Sequence, residues 1–350
     1  MTAWHDIADA WVEVQDLLAR TARPHELLLA DAARTAGART ILDVGCGTGG
    51  TTLALARALG PDANITGIDV AAPMLAAARE RLEEAARAND TAGVSGAPET
   101  SGAAGASGAG EAGGGGEASG VAGARGAGKT SDGAGTGGVA AVELVEGDAQ
   151  TYGFERGVFD LVVSRCGVMF FADPAAAFAN LRAATRAGGG LRMVVWRSAE
   201  ENPFMTAAVR AARPVVGAEL LPEPVPNAPG QFAFANERFL RGVLEKAGWA
   251  DVELRELDTR CVFPEAQLMP YVTRVGAVAN VLPRLDDQTR ARVLEAVREA
   301  FAPFMHGGEV RYTACMWDVH GTNARVRGGG GGGGRPRRRP GRRRSASRVG

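Results

Sequence analysis

No apolar run in this sequence is long enough to cross a bilayer, so a membrane-spanning helix is not expected. The opening residues, MTAWHDIADAW, include acids and lack the apolar core of a secretory signal. Cysteine is sparse: Cys46, Cys166, Cys261 and Cys315 lie far apart and form no C-x-x-C pair. Unpaired thiols without an export signal predict a reducing, cytoplasmic setting and no disulfide framework. Net charge is nearly absent too, at −1, but that balance hides two unusual stretches. From Ala92 to Gly138 the chain is almost entirely Gly, Ala, Ser and Thr, and Arg325 to Gly350 holds ten arginines and no acid. Without those ten, 29 basic residues face 40 acids. The body of the chain is therefore acidic, which argues against a nucleic-acid surface built into it.

What is present is room and rhythm. The chain has 350 residues, 45% of them hydrophobic, enough for one large domain or two small ones with a full core. Asp6–Arg20 and Pro24–Ala36 read as two helices, because Ile7, Ala10, Trp11, Val14, Leu17 and Leu18 recur at helical spacing. TILDVG from Thr40 is a short buried strand that breaks into glycines, followed by a helix over Gly50–Ala58. NITGIDV from Asn64 is a second strand, and Pro73 starts the next helix. After the Gly/Ala segment, VELVEGD from Val142 and VFDLVVS from Val158 give strands three and four. A helix from Asp173-Pro174 runs to Arg186, ends on Gly188-Gly189-Gly190, and leads into strand five, LRMVVW from Leu191. Such alternation with nearly continuous apolar strands predicts a parallel α/β sheet covered on both faces. Beyond it come a helix over Asn236–Ala247, a sixth strand from Asp251, helices over Glu265–Val281 and Asp286–Phe301, and a last strand from Arg311.

The strongest signal is Asp43-Val44-Gly45-Cys46-Gly47-Thr48-Gly49-Gly50, between a strand and a helix. Glycines there allow a sharp turn and let a ligand approach the main chain. The G-x-G-x-x-G pattern of Gly45, Gly47 and Gly50 alone would equally suit a nicotinamide dinucleotide. Three acids shift the balance. Asp43 places a carboxylate where a cationic amino group can be held. Asp69, closing the second strand, can bond both hydroxyls of a ribose. Asp148, closing the third, can reach an adenine amino group. Ordinary βα turns explain any one of these; they explain all three in order poorly.

ILDVGCGTGGTT, GIDVAAPML, VEGDAQT and FDLVVSRCGVMFFADPAAAFANLRAATRAGGGL resemble the successive motifs of class I S-adenosylmethionine-dependent methyltransferases. They are most similar to the branch with ubiquinone and menaquinone C-methyltransferases and bacterial small-molecule enzymes. The resemblance covers roughly Trp11 to Arg325 without the Gly/Ala segment. It implies a doubly wound, Rossmann-like seven-stranded sheet with the last strand antiparallel and a helical lid over the strand C-terminal ends. It also implies S-adenosylmethionine as cofactor, contacted by Asp43, Gly45, Cys46, Gly47, Thr48, Gly49, Asp69, Val70, Met74, Asp148, Ala149 and Arg165. Two positions depart from the branch: Ala71-Ala72 replaces a capping serine, and Cys166 stands where an aromatic is common. The expected organisation is one domain of residues 1–91 and 139–325, with lid segments 1–36, 200–234 and 260–310. A disordered insertion, 92–138, and a disordered tail, 326–350, complete it.

A sulfonium methyl donor carries its own activation, so the protein mainly has to align the reactants and exclude water. Candidate bases are His5, His25, His306, His320, Tyr152 and Asp173, each with a surface or capping use as the plainer explanation. Cys166 follows Arg165 rather than a proline and reads as a small apolar filler. Met169, Phe170 and Phe171, with Trp196 and Arg197, sit beyond strands four and five as candidate walls of an acceptor pocket; no metal is called for. Gly123 to Thr130 matches the P-loop pattern, but its flanks form neither the strand nor the helix a P-loop needs. The expected reaction is methyl transfer to a small, partly apolar metabolite. The rivals are an RNA methyltransferase anchored by the basic tail, although SRCGVMFF stands where an N-P-P-Y-like motif would, and a donor-binding module without catalysis.

Overall fold

The computed structural model describes residues 4–94 and 139–324. The Gly/Ala segment from residue 95 and the arginine-rich end from residue 325 lie outside the described residues. So do the expectations of disorder there and the P-loop-like string.

Two helices, α1 (Trp4–Glu13) and α2 (Gln15–Thr35), precede the alternating core. The core runs β1 (Thr40–Val44), α3 (Gly50–Leu59), β2 (Asn64–Asp69), α4 (Ala72–Val94), β3 (Ala141–Glu146), β4 (Phe159–Arg165), α5 (Pro174–Ala184) and β5 (Thr185–Trp196). Then follow α6 (Pro203–Val216), α7 (Glu237–Lys246), β6 (Ala250–Pro264), α8 (Leu268–Arg274), α9 (Ala277–Val281), α10 (Asp287–Ala300), β7 (Met305–His306) and β8 (Glu309–Thr322). The strands form one sheet in the order β3-β2-β1-β4-β5-β8-β6, with the two-residue β7 hydrogen-bonded to β8. Strands β1 to β5 are mutually parallel, and β8 is antiparallel to both β5 and β6. This is the doubly wound sheet expected, with an eighth, very short strand added.

Pleating divides the side chains between two cores. Ile41, Ile65, Val163 and Val194 face α2 and α3 through Leu29, Ala30, Ala33, Leu55 and Ala56. Leu42, Val162 and Met193 face α5 and α7 through Phe178, Leu181, Leu240 and Leu244. The strand order reverses direction between β1 and β4, which opens a crevice at their C-terminal ends.

Several boundaries differ from the sequence expectation, each for a physical reason. The first helix pair breaks at Val14, and α2 continues through Pro24. Proline removes a single helical bond there, while the buried stripe of Leu17, Ala22, His25, Glu26, Leu29 and Ala33 holds the helix against the domain. Strand β5 begins at Thr185, six residues early, because Thr185 pairs with Phe159 before a bulge leads to the Leu161–Gly190 pair. Helix α4 runs three residues into the Gly/Ala segment, to Val94. Strand β6 extends to Pro264 and β8 starts at Glu309, opposite it. Because β5 ends at Trp196, opposite Met316, the outer part of the β6–β8 pair has no β5 neighbour. It projects as a two-stranded arm past the C-terminal edge of the sheet. Phe204, Phe263, Phe301, Phe304 and Tyr312 gather on this arm with α6, α8, α9 and α10 in a third core. Phe204 and Tyr312 stack with centroids 3.9 Å apart.

Candidate functional site

The turn after β1 is held from below by two backbone bonds: the Gly45 and Cys46 N–H groups both donate to the Ile68 carbonyl, at 2.9 and 3.2 Å. Gly45, Gly47 and Gly49 all adopt positive φ, at 67°, 54° and 78°. The first two are glycine for different reasons. A Cβ on Gly45 would stand 2.6 Å from the Gly167 Cα, so the turns after β1 and β4 pack backbone against backbone. The Ser164 hydroxyl ties the same pair together, donating to the Val44 carbonyl and accepting from the Val168 N–H. Among the described residues, a Cβ on Gly47 would meet only the Met74 sulfur, at 3.8 Å. No other described residue fills the space above Gly47.

Three of the expected charged groups converge on this turn. By strand alternation Asp43, Asp69 and Arg165 share the face that carries Ile41, Ile65 and Val163. Asp69 accepts the Gly47 N–H at 2.9 Å and the Ala71 N–H at 3.0 Å. Burial raises its pKa while these backbone bonds pull the other way. Asp43 is fully enclosed, 1% exposed, and accepts the Thr52 hydroxyl at 2.7 Å. Burial pushes its carboxyl up to about 7; Thr52 and Arg165 oppose the shift, and Glu26 and Asp69 add to it. Arg165 lies 3.9 Å from the Glu26 carboxylate, and its buried Nε has no hydrogen-bond partner.

The other expected contacts are dispersed around this centre. Thr48 accepts from Arg81 at 3.4 Å, and Arg81 in turn donates to Gln15. Met74 is buried with Ala71 beneath Ala8, where α1 crosses α4. Cys46 is buried, and burial pushes its thiol well above the ordinary range. Val70 and Asp148 are exposed; Asp148 accepts the Gln150 N–H at 2.9 Å. Ala149 is buried, with its carbonyl accepting from Asn180. Of the candidate pocket wall, Met169 is packed in the central core, Phe170 is exposed, and Trp196 is half-buried between the first two cores. Cys166 takes a left-handed conformation, φ 66°, and burial raises its thiol to about 11, which keeps it protonated and non-nucleophilic.

Among the candidate bases, His25 is buried and bonded to the Thr259 hydroxyl at 2.9 Å. Burial and then Arg165 lower it to about 4, so it is neutral and a weak proton acceptor at pH 7. Asp173 caps α5 by accepting the Ala176 N–H. His306 is exposed on the β7 hairpin, Tyr152 is exposed, and His320 lies 3.3 Å from Asp318. The His5 side chain lies outside the described residues. The residue that sequence reasoning missed is Glu26, 8% exposed on α2. The available signal was an ionisable pair, His25-Glu26, set into the buried stripe of an amphipathic helix.

The fold is thus a Rossmann-like sheet with its polar centre at the switch point. Two family profiles, each described as a methyltransferase domain, match residues 41–96 and 121–193. A trans-aconitate 2-methyltransferase of Afipia carboxidovorans is 46% identical over 78 residues, 22% of this chain and 28% of that relative. Among solved structures, the cyclase SpnF matches at 14% identity and TM-score 0.47, over 91% of this chain and 96% of that one. The YcgJ protein of Bacillus subtilis matches at 13% identity and TM-score 0.45, over 86% and 99%. The two methyltransferase-domain profiles and the trans-aconitate relative, which this chain spans over less than a third of its length, indicate a class I S-adenosylmethionine-dependent methyltransferase with S-adenosylmethionine as cofactor. No helix among the described residues is long and apolar enough to cross a membrane.

Proposed function

We propose that this chain transfers a methyl group from S-adenosylmethionine to a small, partly apolar metabolite. The observation that carries the reading is one juxtaposition at the ends of β1, β2 and β4. An open left-handed glycine, Gly47, donates its N–H to the Asp69 carboxylate, and Arg165, whose buried Nε lacks a partner among the described residues, ends β4 on the same sheet face. These groups suit a ligand with a diol, a carboxylate and a cationic centre. Each Asp69 oxygen keeps a lone pair beyond its backbone bond, so Asp69 would hold the ribose. Asp148, exposed and with one carboxylate oxygen beyond its Gln150 bond, would reach the adenine, and Arg165 would take the carboxylate. Bound there, the cofactor supplies a methyl group already activated on a sulfonium.

The chain's own contribution is alignment and exclusion of water. Asp43 is sealed and His25 is held neutral, so neither serves as a strong base. We assign the covering role to α1 and α2 on one side and to the β6–β8 arm with α6 and α8 to α10 on the other, within one domain. With that cover the crevice would suit a small acceptor, and the matched relative, named for methylating trans-aconitate, favours the same reading. The test is methyl-labelled donor incubated with the protein and either a metabolite extract or total RNA. Label is expected in the small-molecule fraction. Label in RNA alone would overturn the acceptor class, and donor binding without transfer to either would overturn catalysis.

A further inference from the structure

We propose that Glu26 is the recognition residue for the ammonium group of the donor's amino-acid tail, paired across it with Arg165. The inference rests on the donor-binding reading above and reassigns a role that the sequence alone gave to Asp43.

Asp43 is unsuited to that role. Its carboxylate is sealed beneath the turn and bonded to Thr52. A ligand could reach it only by dismantling the β1–α3 junction. Glu26 comes from a different element, α2, and arrives over the turn from outside. Its Oε1 rests on the first residue of α3: a Cβ on Gly50 would lie 2.2 Å from it. The neighbouring N-cap, Gly49, has no side chain to cap the helix, so the positive helix start favours a carboxylate here.

The pair is unfinished as it stands. Among the described residues no donor hydrogen-bonds the Glu26 carboxylate, although the residue is more than nine-tenths buried. The Arg165 Nε is buried and unpartnered, and its separation from Glu26 Oε1 is 3.9 Å, beyond hydrogen-bond range. A largely buried carboxylate and a buried guanidinium nitrogen that stand close without bonding are costly, and proteins seldom leave them so. A zwitterion resolves both at once, with its carboxylate on the guanidinium and its ammonium on Glu26. Charge balance points the same way. Glu26, Asp43 and Asp69 lie around the turn with Arg165 as the cation acting on Asp43, and even with Asp43 protonated two carboxyls face one guanidinium, so the site favours a ligand that brings positive charge. Arg81 and Arg23 also act on Glu26 but more weakly than Arg165.

The experiment is calorimetry on the full chain with two probes, S-adenosylhomocysteine and 5′-methylthioadenosine; the second lacks the amino-acid tail. Glu26→Gln is expected to weaken S-adenosylhomocysteine about 10- to 100-fold, the worth of a charge-assisted bond. Its affinity for methylthioadenosine should stay within about twofold of wild type, since that probe never reaches Glu26. A second measurement needs no variant: deaminated S-adenosylhomocysteine should bind wild type more weakly than the parent by a similar factor. Equal weakening of both probes by the variant would overturn the proposal, because Glu26 would then act through the fold. So would an unchanged affinity for S-adenosylhomocysteine, or a deaminated analogue that binds as well as its parent. Failure of wild type to bind either adenosine probe would instead overturn the donor-site reading and this proposal with it.

Discussion

Asp43 shows how burial alone redirects a residue. In sequence it is an acid two positions before a glycine turn, open to a ligand; in the fold it is 1% exposed, bonded to Thr52, with Arg165, Glu26 and Asp69 acting on it. Its folded pKa of about 7 lies above the ordinary 3.8. The folded protein therefore keeps a proton that the unfolded chain releases. The corresponding stability is fully present below about pH 4 and is lost as pH rises toward 7, on the order of 4 kcal/mol across that window. Asp43→Asn has no such titration and preserves an acceptor for Thr52. Its melting temperature relative to wild type should climb between pH 5 and pH 8. Thermal melts of both proteins at the two pH values decide the matter; a constant difference would mean that Asp43 ionises normally.

At the scale of elements, the glycine turn joins two jobs that substitution can separate. Gly45 is a packing glycine, pressed against the backbone of Gly167, whereas Gly47 borders open space. Both have positive φ, which costs a side chain about 1–2 kcal/mol. Gly45→Ala adds a backbone collision that neither strand end can relieve by rotating a side chain. It should destabilise the fold by roughly 3 kcal/mol or more, measured by denaturant unfolding. Gly47→Ala should cost only about the left-handed strain, yet weaken S-adenosylhomocysteine strongly, because its methyl would enter the space proposed for the cofactor. If both variants lost stability equally while binding persisted, the division between packing and binding would be wrong. The βα alternation and this turn were legible from short-range signals, namely apolar runs and glycine spacing. The early start of β5 was not, since it depends on Thr185 meeting Phe159 across the sheet.

For the whole molecule, the proposed lid is a separate core carried on an arm rather than a flap on the sheet. Phe204 stands at its centre, stacked on Tyr312 and edge-on to Phe263, Phe301 and Phe304. Phe204→Ala should cost about 3–5 kcal/mol in that core. Because the donor-facing groups lie on other elements, S-adenosylhomocysteine affinity should stay within about threefold while methyl transfer falls steeply. Calorimetry beside a turnover assay measures the two. Donor affinity falling in step with turnover would show that the lid core and the donor site form one unit.

Local order determined much of this protein by itself. The period of apolar residues, the glycine spacing after the first strand and the acids closing strands one to three pointed to a parallel α/β sheet with a ligand at its strand ends, and the resemblance of those motifs to class I methyltransferases implied the winding and the cofactor. Each of those signals lies within a few residues of the structure it specifies. What only the tertiary structure decided is which charges reach the ligand. Whether Asp43 is sealed or open depends on α2 and α3 closing over it, and Glu26 becomes part of the site through packing that brings residue 26 beside residues 50 and 165. The length of the β6–β8 arm likewise follows from pairing between segments more than forty residues apart. Periodicity shows which side of a helix is buried; only the fold determines what that side is buried against, because burial and charge pairing are properties of neighbours distant in sequence.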